Sequence, residues 1–92
     1  MTLTSKERAA LRAQAHALSA MVHIGKQGLT PMVLDSLEDA FRAHELVKIQ
    51  LGKQTDMTAK EAANELAGRV GADVVQVIGK TVTLYRELEE EE

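Results

Sequence analysis

The segment Val22-His23-Ile24-Gly25-Lys26-Gln27-Gly28-Leu29-Thr30-Pro31 constrains the fold more than any other stretch of the chain. Apolar β-formers run into two glycines, and Thr30-Pro31 then supplies a capping hydroxyl and a proline suited to the first helical position. The expected order is strand, tight loop, helix. Glycines at both ends of the loop remove the Cβ atoms that would hold a polyanion backbone away, and a helix N-terminus offers unpaired N–H groups with a partial positive charge. Lys26 adds a full charge at the tip. The same pattern would also serve a plain strand-to-helix turn whose glycines only supply positive φ.

Ninety-two residues allow one domain and one core of three or four packed elements, too little for a large buried catalytic cleft. Phe41 and Tyr85 are the only aromatics, so the core must be built from Ala, Val, Leu, Ile and Met. With no cysteine there is no disulfide framework and no thiolate metal site, as suits a reducing compartment. No apolar run approaches the roughly 18 residues of a membrane span, and the N-terminus lacks the apolar core of a signal peptide, so a cytoplasmic protein is expected. The formal charge of −3 is unevenly spread: five of fourteen acids are Glu87, Glu89, Glu90, Glu91 and Glu92. Residues 1–86 carry eleven Lys and Arg against nine Asp and Glu, a net of +2. The expected organisation is a mildly basic domain over 1–86 and an acidic, disordered tail over 87–92.

Thr4-Ser5-Lys6-Glu7 fits a capping box and opens a helix expected from about Ser5 to Ala15, buried through Leu11, Ala15 and Leu18. Beside that stripe Arg8, Arg12 and His16 stand four residues apart, a row of one sign that suits an external anion or a solvated face. A strand from Ala20 to Ile24 leads through the glycine loop into a helix from Pro31 to Ala43, with Val33, Leu37, Ala40, Phe41 and His44 inward and Glu38 paired with Arg42. Leu46 to Leu51 alternates as a strand, Val47, Ile49 and Leu51 to the core, Lys48 and Gln50 outward. After a loop carrying Lys53, Thr58-Ala59-Lys60-Glu61 caps a third helix that ends at Gly71. Val74 to Ile78 and Thr81 to Arg86 then form a hairpin about Gly79-Lys80, with Val75, Val77, Val82 and Leu84 toward the core. The order α-β-α-β-α-β-β predicts a two-layer α/β sandwich with a mixed four-stranded sheet. Arg8, Arg12, Lys26, Lys48, Lys53, Lys80 and Arg86 are left without a local acidic partner.

Taken together, Leu11 to Ala20 with Ala15-His16, the segment Val22 to Thr30, His44-Glu45-Leu46-Val47-Lys48-Ile49, and Gln76-Val77-Ile78-Gly79-Lys80 followed by Leu84-Tyr85-Arg86 resemble the bacterial single-domain, YhbY-type members of the CRM family (chloroplast RNA splicing and ribosome maturation). The resemblance spans nearly the whole chain and departs from the family at the glutamate-rich end. It implies a compact RNA-binding domain, similar in fold to the C-terminal domain of the third translation initiation factor, that associates with precursors of the large ribosomal subunit. It places the family's GxxG loop on Gly25, Lys26, Gln27 and Gly28, with the surrounding basic residues Arg8, Arg12, His16, Lys48, Lys80 and Arg86 as the RNA-facing set.

The leading expectation is therefore a non-enzymatic monomer that binds ribosomal RNA and needs no cofactor or metal. The alternative is a protein-interaction module that contacts a ribosomal protein or assembly factor through its polar sheet face or acidic tail. An enzyme is the weakest reading. Ser5, Ser19 and Ser36 lie in no nucleophile motif, and His16, His23 and His44 have no carboxylate at dyad or metal-ligand spacing.

Overall fold

A computed structural model describes residues 3–88. Its elements are α1 (Ser5–Ala15), β1 (Val22–Ile24), α2 (Pro31–Ala43), β2 (Leu46–Leu51), α3 (Ala59–Val70), β3 (Asp73–Ile78) and β4 (Thr81–Tyr85), the expected order. Each helix starts at a threonine whose hydroxyl accepts a backbone N–H from the first turn. Around Thr4 and Thr58 the glutamates Glu7 and Glu61 return the bond to the cap N–H, completing both capping boxes. The Glu7 carboxyl is held below its ordinary value because the Thr4 N–H, and then the Thr4 hydroxyl, favour its charged form. Gly71 ends α3 at φ 68°, a left-handed cap that suits a residue without Cβ.

The sheet runs β1-β2-β4-β3, with β1 parallel to β2 and the other pairs antiparallel. Its main core lies under α2 and α3, where Phe41, Leu37 and Leu66 meet Val47, Ile49, Val82 and Leu84. Fully burying each such side chain contributes about 1.5–3 kcal/mol, and the alanines Ala59, Ala62 and Ala63 let α3 come close enough to seal it.

Helix α1 packs on the other face, so the two-layer sandwich carries a partial third layer. There Ala15, Leu46 and Val75 form a second small core, flanked by Leu3, Leu11, Leu18 and Tyr85. The expected assignment of Val75 to the main core is corrected by a register shift between Val74 and Gln76, which turns Val75 toward α1. Val77 stays opposite Val82 but is 37% exposed near the sheet edge. The strand expected from Ala20 begins at Val22, where pairing with Ile49 begins, although the Met21 N–H already donates to the Lys48 carbonyl at 2.8 Å. His44, expected on the buried stripe of α2, is exposed; its extended backbone turns the chain into β2 while its N–H caps the Ala40 carbonyl at 2.9 Å.

Lys48 fastens α1 to the sheet. Its ammonium donates to the Ala15 carbonyl at 3.2 Å and the Leu18 carbonyl at 3.3 Å, a cation placed where the helix leaves acceptors and negative potential. Lys48→Met keeps the aliphatic stem and removes the charge, so it should cost about 1–2 kcal/mol in thermal or denaturant unfolding. A substitution that melts like the parent would show that the small core alone holds α1.

Candidate nucleic-acid interface

Because β1 and β2 are parallel, they end on the same side of the sheet, and the antiparallel β4 begins there. Three connections therefore meet at one end: the Gly25–Gly28 loop, the loop after β2, and the Gly79-Lys80 turn. Main-chain hydrogen bonds join them. The Gly52 N–H donates to the Ile24 carbonyl at 2.8 Å, and the Leu51 N–H to the Lys80 carbonyl at 2.8 Å. A Cβ on Gly52 would sit 3.2 Å from the Ile24 carbonyl oxygen, so glycine lets these two segments touch. The hydroxyl of the buried Thr55 lies 3.1 Å from the Ile24 carbonyl and 3.0 Å from that of Gly25, tying the glycine loop to the β2–α3 loop.

Within the loop, the Gly28 N–H closes a turn on the Gly25 carbonyl at 3.0 Å, and Gly28 takes φ 73°. Lys26 and Gln27 form the exposed tip, and among the described residues their N–H groups have no protein acceptor. The contribution of the helix is smaller than the sequence suggests. Pro31 has no N–H and the Val33 N–H is taken by the Thr30 hydroxyl at 3.2 Å, which leaves Met32 as the free donor of the first α2 turn. An open depression of about 330 Å³ is lined by the four loop residues with Thr30 and Val33. Lys26, Lys53 and Lys80 all stand exposed at this end of the sheet and form no ion pair among the described residues.

The other expected contacts divide differently. Lys48 is committed to the end of α1. Arg86, expected to lack a partner, makes a forked pair with Glu38 at 3.0 and 3.1 Å, donates to the Val70 carbonyl at 2.9 Å, and lies 4.8 Å from the Phe41 ring centroid. Glu38 is thereby withdrawn from Arg42, which pairs with Asp39 at 2.9 Å. Arg12 and His16 are exposed on α1, while Arg8 is half-buried, its Nε shielded and without a partner among the described residues. None of this row lines the glycine-loop depression. Lys53 enters the lysine group instead. Gly52 and Thr55 were not legible as part of it, since no local spacing ties a residue after β2 to the end of β1.

The far end of the sheet is acidic. A depression of about 190 Å³ there includes Glu7, Asp73 and Glu87 beside Tyr85. Burial, and then the carboxylates of Glu45, Glu87, Glu7 and Asp73, raise the Tyr85 phenol above its ordinary value. Leu88 is anchored at this end by its N–H to the Glu45 carboxylate at 3.2 Å, whereas the rest of the acidic tail lies outside the described residues.

The chain as a whole has counterparts. The model of the CRS1/YhbY (CRM) domain matches residues 3–86. The chain belongs to the CRS1/YhbY (CRM) domain family. An RNA-binding protein of Haemophilus influenzae is 36% identical over 89 residues, covering 97% of this chain and 90% of the relative. The probable RNA-binding protein YqeI of Bacillus subtilis is 31% identical over 88 residues, covering 96% and 92%. The solution structure of a Staphylococcus aureus protein, described as a candidate RNA-binding protein, superposes with a TM-score of 0.82 at 31% identity, covering 99% and 95%.

In this CRM domain the Thr55 hydroxyl is the side-chain link between the glycine loop and the rest of the lysine end. Thr55→Val preserves shape and removes the hydroxyl hydrogen bond, while the Gly25 and Ile24 carbonyls keep the Gly28 and Gly52 N–H groups, so about 1 kcal/mol of stability should be lost. Amide exchange at Gly28 and Gly52 should quicken with it. Unchanged exchange at both would show that the turn holds itself.

Proposed function

We propose that this CRM domain is a non-enzymatic, cytoplasmic RNA-binding protein that docks, as a single chain without a cofactor, on ribosomal RNA in precursors of the large subunit. The observation that carries the reading is the convergence of Lys26, Lys53 and Lys80, unpaired among the described residues, on a glycine turn whose tip N–H groups have no acceptor among them. Ammonium groups and free N–H groups together hold phosphate oxygens, and the turn's glycines admit the sugar–phosphate chain. The relatives named as RNA-binding proteins support the same ligand class. Arg12 and His16 on α1, with Arg8 behind them, form a separate cationic strip that a folded RNA larger than the loop site would reach.

The histidines favour binding over catalysis. His16, His23 and His44 are exposed, and among the described residues none is hydrogen-bonded to a carboxylate that would activate it. Among these residues no group of three His, Cys, Asp or Glu side chains could hold a metal ion, and no helix is long and apolar enough to cross a membrane.

Replacing Lys26 and Gln27 together by aspartate keeps both glycines and puts two negative charges at the phosphate position. Stability should change by no more than about 0.5 kcal/mol, as at most surface sites. Affinity for ribosomal RNA should fall at least about tenfold, and the parent's log affinity should decline with log salt at roughly −0.7 per phosphate contacted on single strands. A double variant that binds as tightly as the parent would reduce the loop to a turn; binding insensitive to salt would point to a protein partner.

A further inference from the structure

Helix α1 covers only part of its sheet face. Its last carbonyls end at Lys48, and beyond Lys48 toward the lysine end one more row of side chains stands on that face. The row crosses all four strands in register: His23 beside Gln50, Gln50 opposite Thr81, and Thr81 opposite Ile78. Alternation places these side chains away from the core formed with α2 and α3, since their strand neighbours Ile24, Ile49 and Val82 are buried there. His23 and Gln50 are exposed, Thr81 is half-buried, and Ile78 is 55% exposed. At about 4.8 Å between strands the row is about 14 Å wide. Just past it, at the strand ends, stand Lys26, Lys53 and Lys80.

The row offers an imidazole face, an amide and a hydroxyl that can donate or accept, and an apolar side chain, all beside a cationic rim. An anionic protein segment would match the rim, but the relatives named as RNA-binding proteins favour a nucleic acid there. An RNA duplex matches the rim but keeps its base faces stacked inside. A single strand carries phosphates along one edge and free base faces and edges along the other, the same division that this surface shows.

We infer that the open row is a platform for the bases of a single-stranded RNA segment whose phosphates run along the lysine rim. His23 stacks on a base, Gln50 and Thr81 hydrogen-bond to base edges, and Ile78 covers the apolar face of the last base. The inference rests on the RNA-binding reading above and adds which form of RNA the lysine end holds, and by which atoms.

The test is anisotropy of a labelled oligouridine of about twelve nucleotides, and of an RNA duplex of similar length, with the parent protein, His23→Ala, His23→Phe and the Lys26→Asp, Gln27→Asp double variant. His23→Ala should melt like the parent, lose about tenfold in affinity for the single strand, keep the parent's salt slope and leave duplex binding unchanged. His23→Phe should restore the affinity, because stacking needs a ring and not its charge. If His23→Ala binds the single strand as the parent does while the aspartate variant is weakened, the phosphate site stands and the platform is wrong. If phenylalanine fails to rescue, or duplex binding falls equally, His23 meets the backbone and the platform is again overturned. A parent that binds neither RNA removes both readings.

Discussion

The carbonyl oxygen of Ile24 is the point on which this structure turns. It receives the Gly52 N–H at 2.8 Å and lies 3.1 Å from the Thr55 hydroxyl, whose single proton it shares with the Gly25 carbonyl, so it is paired at the place where β1 stops. An unsatisfied carbonyl there would cost about 1–3 kcal/mol. Satisfied in this way, it ends the three-residue strand, holds the glycine loop against the β2–α3 loop, and sets Lys26 and Lys53 on neighbouring connections. The Leu51–Lys80 bond adds the hairpin turn to the same group.

Charge is sorted along the strands. Three lysines that form no ion pair among the described residues stand at one end of the sheet, and Glu7, Glu45, Asp73 and Glu87 gather around Tyr85 at the other. A six-residue strand such as β2 spans about 20 Å, some twice the Debye length of about 10 Å at 0.1 M salt. The acidic end therefore does not cancel the field at the lysines, and the separation orients an approaching polyanion. The net charge of −3 conceals this, because it sums over ends that act separately.

Cations serve two purposes in the fold, and position decides which. Lys48 and Arg86 lie partly buried beside acceptors that need donors: the Leu18 carbonyl just past α1 for one, the Val70 carbonyl and the Glu38 carboxylate for the other. Withdrawing such a donor would leave a shielded acceptor bare, so these side chains are held in place. Lys26, Lys53 and Lys80 stand where the backbone is already satisfied or open to water, and their ammonium groups are exposed.

The sequence by itself determined the element order, the caps and the turn. Each follows from short-range chemistry: the Thr4–Glu7 and Thr58–Glu61 boxes, Pro31 after Thr30, Gly71 and Gly79 at positive φ, and the alternation of Val47, Ile49 and Leu51. It also marked the Gly25–Gly28 loop and most of the unpaired cations. Only the tertiary structure decided which of those cations stay unpaired. Glu38 has Arg42 four residues away, yet it turns to Arg86, whose guanidinium brings a second hydrogen bond, the Phe41 ring and partial burial that an exposed helix pair lacks. The covering of one sheet face by α1, the turning of Val75 at the register shift, and the row His23, Gln50, Thr81 and Ile78 likewise depend on which strands lie side by side. Local spacing carries no information about that, because strand order is set by burial across the whole sheet.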